Sequence, residues 1–311
     1  MPRLRIILET LILTIGCCCV SVSMAQDSPA SLATTRRTQV IVTITEPSRR
    51  YVGGLNKDQV TMLDNGKPQE MLTMAESTFP VSIGLLFNVS RNRRRETLAL
   101  TRKMILRFFD VPEKTNEYSI MGFNENSLLV TDWTREPKEL ISDFDKLENM
   151  KPSNNLTAYD ALEVGIKKMG DARYSKRAVI LISDLNDPGS KSKQDQVIET
   201  LRRIDILVYT IIIDTSLFPR SMGSALDRIC SVSGGFAKDA SNTAEFLDLM
   251  EIISLELRHQ YLISFIPRGA EGEWHRLNFE AKPLMVRPSP SKKLEKVPLF
   301  IRSREGYYLN R

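Results

Sequence analysis

VSIGLLFNVSRN, residues 81–92, decides how the rest of this chain is read. Residues 81–87 are almost unbroken apolar, the pattern of a strand buried on both faces of a parallel sheet. The run ends in Asn88-Val89-Ser90-Arg91-Asn92, a cluster of mostly small polar side chains. Residues 93–110 then place Leu98, Thr101, Ile105 and Phe108 at helical spacing. Strand, polar turn and amphipathic helix form the opening half of a βαβ unit. In such sheets ligands sit beyond the carboxyl ends of the strands, where this turn lies.

Downstream the alternation continues. Residues 118–123 and 127–130 read as a hairpin around Asn124-Glu125-Asn126, and 137–150 and 157–169 as helices. Residues 178–183 (AVILIS) and 206–213 (ILVYTIII) read as buried strands, 194–203 and 224–232 as helices, 234–238 as a short edge strand, and 243–258 as a long helix. Strands alternating with helices imply a mainly parallel, doubly wound sheet covered on both sides.

On both flanks the pattern is β only. Upstream, 39–45 (QVIVTIT), 60–63 and 70–74 read as strands, with a turn at Asp64-Asn65-Gly66-Lys67-Pro68. Downstream, 260–266, 277–281, 297–302 and 307–309 read as strands, with 283–296 as a Pro/Ser/Lys loop. An isolated strand pair is marginal, whereas pooled strands can bury a face. The flanks are therefore expected to form one small β-sandwich, residues 38–78 and 259–311, with the α/β domain of residues 79–258 inserted into it.

The chain has 311 residues, 42% apolar and 26% charged, so a globular protein is the default. A net charge of +5 is mild for this length and gives no argument for nucleic acid. Arg3 and Arg5, an apolar run over 11–22 and Ser23-Met24-Ala25 before Gln26 read as a cleavable leader over 1–25, followed by a linker over 26–37. Acylation of Cys17 as a lipoprotein is the second reading. Neither leaves a transmembrane helix in the mature chain, and the expected compartment is periplasmic or extracellular. Three of the four cysteines lie in the leader, so Cys230 is left as a lone, buried small hydrophobe.

Three loops would meet at the carboxyl edge of the sheet, carrying Asn88, Ser90 and Asn92, then Thr157, then Asp184. Hydroxyls, amide oxygens and one carboxylate are hard ligands that suit Mg²⁺, Mn²⁺ or Ca²⁺ rather than zinc. Here the sequence resembles the von Willebrand factor A family. That family carries Asp-x-Ser-x-Ser after its first strand, a Thr in a middle loop and an Asp ending a later strand. This chain has Asn88-x-Ser90-x-Asn92, Leu156-Thr157-Ala158 and Ser183-Asp184-Leu185 in the same order. The flanking Gly54-Leu55-Asn56-Lys57-Asp58 and Asp64-Asn65-Gly66-Lys67-Pro68, with Leu257-Arg258-His259-Gln260-Tyr261 and Arg304-Glu305-Gly306-Tyr307-Tyr308, resemble a bacterial exported subgroup.

The resemblance implies a Rossmann-like fold, an adhesion site for Mg²⁺ or Mn²⁺, and a protein partner whose acidic side chain completes the ion's shell. The departures imply a degenerate site. Asn88 removes one of the two carboxylates that neutralise the ion in the family, and Asn92 replaces a hydroxyl with an amide. Arg91, Arg93, Arg94 and Arg95 crowd the same turn. Each cation at ~6 Å opposes an ion by about 1 kcal/mol per unit charge at an effective dielectric near 50. Those four arginines instead suit an acidic partner, although a solvated charge run is the plainer reading.

An enzyme is the competing class. There is no GxSxG, P-loop or HExxH, and His259 and His275 lie far from the three loops in sequence. Asp184 and Asp187 could in principle form a carboxylate pair for hydrolysis, but the turn Asn186-Asp187-Pro188-Gly189 accounts for the second without it. The expected function is binding or adhesion rather than catalysis, with a scaffold bearing a vestigial site as the alternative.

Overall fold

The strand that opens the α/β block lies inside its sheet, not at the rim. A computed structural model describes residues 37–89, 102–103, 116–151, 153, 155–183, 187–213, 220–286 and 293–309. Sixteen strands are present among them. The first four are β1 (Thr38–Thr45), β2 (Val60–Asp64), β3 (Lys67–Gln69) and β4 (Met71–Ser77). Those of the block are β5 (Val81–Asn88), β6 (Glu117–Phe123), β7 (Ser127–Thr134), β8 (Lys176–Ser183), β9 (Leu207–Ile213) and β10 (Ala237–Ala240). They make one six-stranded sheet in the order β10-β9-β8-β5-β6-β7. All its pairings are parallel except β6 with β7.

All eight residues of β5 are buried, as its unbroken apolar run requires for a strand covered on both faces. One face packs Ile83, Leu85 and Phe87 against helices α1 (Pro137–Asp143), α2 (Asp145–Glu148) and α6 (Thr243–Arg258), through Leu140, Leu147 and Phe246 among others. The other face packs Leu86, Leu181 and Val208 against α3 (Ala158–Lys168), α4 (Gln194–Arg203) and α5 (Arg220–Ser233). Gly165 of α3 lies against Leu86 so closely that a Cβ there would be 2.8 Å from a Leu86 methyl. The helix that carries the middle loop of the site is thereby seated directly on β5.

The flanking strands pool as expected. β1 pairs antiparallel with β11 (Gln260–Phe265) and β15 (Phe300–Ser303), in a sheet of order β15-β1-β11-β4. A second sheet has the order β16-β12-β2-β3, with β12 spanning Trp274–Ala281 and β16 Gly306–Tyr308. Strands from before and after the α/β block thus share both sheets. Val42, Ile44, Met62, Tyr261, Ile263 and Phe279 fill the space between them, at about 1.5–3 kcal/mol per fully buried aliphatic or aromatic side chain. The β2–β3 hairpin turns at Asn65 and Gly66, with φ of 50° and 76°, the geometry that an Asn-Gly pair supplies. Asp64 closes the sandwich by accepting from Tyr307 Oη at 2.7 Å and by contacting His275 Nδ1 at 2.8 Å.

Several elements differ from the sequence reading. The expected loop over 283–296 contains a hairpin of β13 (Leu284–Val286) with β14 (Glu295–Val297), and the expected strand over 297–302 divides at Pro298-Leu299 between β14 and β15. The edge strand β10 begins at Ala237 rather than at residue 234, because Gly234 and Gly235 make the turn before it. Gly234 has φ 94°, and a Cβ on Gly235 would be 1.9 Å from the Val208 carbonyl oxygen. The helix over 137–150 divides at Phe144, and α5 begins at Arg220, earlier than expected. Of the helix expected over 93–110, only Arg102 and Lys103 lie within the described residues, and both are helical. The leader and linker lie outside them. No helix among the described residues is long and apolar enough to cross a membrane.

Candidate functional site

The site begins where β5 runs out. Pairing with β6 continues one residue beyond the strand, as Val89 N donates to Phe123 O at 2.8 Å. Side chains alternate along a strand, so Asn88 shares the face of Leu86, beneath α3, α4 and α5. Ser183, two residues past Leu181, shares that face on the neighbouring strand. The register Phe87↔Ile182 puts Asn88 and Ser183 side by side. Both are buried, at 3% and 0% exposure, and the Ser183 hydroxyl meets no hydrogen-bond partner among the described residues.

Thr157 joins them from the loop before α3. It occupies the N-cap position, yet its side chain caps nothing. Its buried hydroxyl donates to the carbonyl of Asn124 at 2.7 Å, across to the end of β6. With its proton spent, the oxygen keeps lone pairs for a further donor or ion. The Asn124 side chain is tied back as well, donating to Lys151 O at 2.8 Å. The β6–β7 turn and the loop before α3 therefore behave as one piece.

The cap that Thr157 does not supply comes from a loop thirty residues on. Asp187 accepts from Ala158 N and Tyr159 N at 3.2 and 3.4 Å. Ser190 Oγ accepts from Tyr159 N and Asp160 N at 3.1 and 3.2 Å. In return Asp160 accepts from Lys191 N and Ser192 N at 3.0 and 2.8 Å, and Gly189 N donates to Leu156 O at 2.9 Å. Free N–H groups at a helix start need partners and favour negative charge, and the 187–192 loop meets that need.

The two carboxyl groups differ in titration. Burial pushes the Asp187 carboxyl up, and its bonds from Ser190, Tyr159 and Ala158 only partly oppose this. Burial also acts upward on Asp160, but the N–H groups of Lys191 and Ser192 outweigh it and hold that carboxyl below its ordinary value.

Of the residues expected at the site, Asn88 and Thr157 lie at one edge of the sheet, over the same face. Ser90, Asn92 and Asp184 lie outside the described residues, as do Arg91, Arg93, Arg94 and Arg95. Asn124, Ser183 and Ser190 belong to the crest and were not singled out by the sequence. The described donors are neutral oxygens, and the nearby carboxylate of Asp187 is turned into the α3 amides. Among the described residues no group of three or more His, Cys, Asp or Glu is placed to hold a metal ion. This part of the donor set does not by itself fit a divalent ion.

No protein-family model and no curated protein matches the chain. Solved structures do. A von Willebrand factor type A protein from Catenulispora acidiphila is similar over 90% of this chain and 75% of its own, at 8% identity and TM-score 0.49. The D319A mutant of the PilB minor pilin from Streptococcus sanguinis is similar over 58% of this chain at 12% identity and TM-score 0.48, and the match spans 62% of the pilin. The vWF domain of the type V pili tip protein Mfa5 from Porphyromonas gingivalis is similar over 62% of this chain and 98% of its own, at 12% identity and TM-score 0.43. Likeness at this level does not carry the fold assignment, which rests on the chain's own strand order, register and two helix layers. By those, the α/β block is a doubly wound, Rossmann-like fold, the architecture that the resemblance to the von Willebrand factor A family implies.

Proposed function

We propose that this chain is an exported, non-enzymatic binding protein that engages a protein partner through the loops at the carboxyl edge of its sheet. The adhesion site there is degenerate: Asn88, Ser90, Asn92, Thr157 and Asp184 occupy the family's positions with one carboxylate among them. Were Mg²⁺ or Mn²⁺ held, Ser90, Thr157 and Asp184 would hold it, and the ion would supply a positive centre for a partner's carboxylate. Binding without a well-held ion is the reading favoured here, with Arg91, Arg93, Arg94 and Arg95 meeting an acidic partner directly.

The observation that carries this reading is the commitment of Asp187 to the N-terminus of α3. The nearby carboxylate available to replace the charge missing at Asn88 is already hydrogen-bonded to backbone amides and half-buried. The same commitment argues against Asp187 as the second acid of a hydrolytic pair.

Affinity capture with the mature protein, with and without chelator, tests the proposal. An acidic partner retained in chelator, and lost when Arg93, Arg94 and Arg95 are changed together to alanine, is the expected result. Retention that depends on Mg²⁺ or Mn²⁺ and ignores the arginines would overturn it.

A further inference from the structure

The hairpin of β13 and β14 stands apart from the other sheets. It pairs with no third strand among the described residues, and a ribbon of two strands is marginal by itself in water. One side of it is supported. Leu284 lies opposite Val297 across the pair, and Leu284 packs against the core of the sandwich.

The other side has no such cover. Met285 lies opposite Lys296 at the next register position, and residues opposite each other share a side. Side chains alternate along a strand, so Leu294, two residues before Lys296, continues that side. Met285 is 54% exposed and Leu294 52%. Exposed apolar side chains are ordinary when scattered singly. Here two large ones share one side of one ribbon with a cation beside them.

Charge is gathered on the same segment. Residues 282–296 carry Lys282, Arg287, Lys292, Lys293 and Lys296 against Glu295, a net charge of +4. The whole chain carries +5, so nearly all of its excess lies in this short stretch. Lys282 is held back, because its ammonium donates to the Asp58 carbonyl at 2.9 Å. Lys293 and Lys296 are exposed and make no ion pair among the described residues. By the same alternation Glu295 falls on the inner side, with Val297.

We propose that the β13–β14 hairpin is a membrane-contact element. Met285 and Leu294 enter the acyl boundary of an anionic bilayer, and Lys293 and Lys296 stay with its headgroups. A stable protein partner would need about 800 Å² on each side, more than a ribbon of three residue pairs presents. A lipid surface sets no such minimum, and it offers apolar and anionic groups together. The assignment is independent of the crest, because no residue of the crest belongs to the hairpin.

The test is sedimentation of the mature protein with vesicles of phosphatidylcholine, alone or with about 30% phosphatidylglycerol, which supplies the anionic surface. Binding to the anionic vesicles is expected to be about tenfold or more tighter. It should fall as salt is raised from about 0.1 to about 1 M, where the screening length drops to about 3 Å. Each lysine at such a surface contributes about fivefold, so Lys293→Ala/Lys296→Ala should weaken binding roughly 25-fold. Met285→Ser/Leu294→Ser should weaken it about tenfold or more and leave its salt dependence in place. All four side chains are exposed, so both variants should fold, and an unchanged melting temperature checks this. In Met285→Trp, quenching of the added tryptophan by lipids brominated in their acyl chains reads insertion directly. The crest variant Arg93→Ala/Arg94→Ala/Arg95→Ala should bind vesicles as the parent does, which separates the hairpin from the protein-binding crest. Equal binding to both vesicle types, no quenching at position 285, loss of binding in the crest variant, or a dimer broken by Met285→Ser/Leu294→Ser in place of vesicle binding would overturn the proposal.

Discussion

Asp187 and Ala158 are joined by a hydrogen bond of 3.2 Å from the backbone N–H of Ala158 to the Asp187 carboxylate, which fastens the loop after β8 to the start of α3. The local pattern Thr157-x-x-Asp160 has the form of a capping box, and neither residue is used that way. Thr157 is turned to Asn124 and Asp160 to Lys191 and Ser192. Replacing Asp187 with alanine should therefore destabilise the protein by about 1 kcal/mol, the usual size of a lost cap. Urea unfolding gives that figure. Amide exchange at Ala158 and Tyr159 should accelerate, whereas exchange in β5 should stay slow.

The second prediction concerns charge at Asn88. Replacing Asn88 with Asp adds one negative charge beside Ser183 without changing side-chain size. If the missing charge is what denies the crest an ion, the variant should bind Mn²⁺ at least about tenfold more tightly than the parent, a difference of about 1.4 kcal/mol. Electron paramagnetic resonance of free Mn²⁺ reads this directly. Equal affinities would mean that the arginines, or the arrangement of the loops, dominate.

The fold was legible because its signals are local. Residues 81–87 and 206–213 are apolar enough to be central strands in any arrangement, and Asn65-Gly66 names its own turn. Gln194–Arg203 and Thr243–Arg258 have the bounds that their periodicity predicts. What escaped was set by distant partners. The hairpin of β13 and β14 is hidden in a Pro/Ser/Lys stretch, since strands this short carry too little alternation to be read. Asp187 looked like part of a turn because its partners lie 28 and 29 residues away. Ser183 was read as the end of an apolar strand and as the residue before Asp184, and its place beside Asn88 comes from sheet register, which no single strand encodes.

The third prediction follows from Glu305, which accepts from Arg228 and Arg202 at 3.0 and 3.2 Å and fastens the last strands to α4 and α5. Burial pushes its carboxyl up, but the two guanidinium groups outweigh this and hold it below its ordinary value. A depressed folded-state value means that the charged form stabilises the fold. That stability is present above the unfolded carboxyl value of 4.5 and is lost as pH falls through the folded one. Glu305→Gln should lower stability by about 1.5–3 kcal/mol at pH 7, the range for hydrogen bonds to charged groups. The deficit should shrink as pH falls below 4.5 and through the lower folded-state value, where the parent also loses the charge. Unfolding measured from pH 3 to pH 7 checks both statements.

Gly165 sets two physical effects against each other, and packing should win. In the interior of α3, alanine is favoured over glycine by about 1 kcal/mol. The added Cβ, however, would lie 2.8 Å from one Leu86 methyl and 3.1 Å from the other, and β5 is fixed between β6 and β8, so the strand has little room to retreat. Overpacking of this kind costs about 1–3 kcal/mol. Gly165→Ala is therefore expected to be destabilising by about 1 kcal/mol rather than stabilising. Leu86→Val supplies the control, because a shorter side chain at 86 removes the atoms in conflict. In that background Gly165→Ala should become neutral or favourable, and a double-mutant cycle from denaturant unfolding would show coupling of about 1 kcal/mol or more. If alanine at 165 stabilised the parent protein, α3 would sit farther from β5 than this seating allows, and Thr157 at its tip would lose its fixed position against the Asn124 carbonyl.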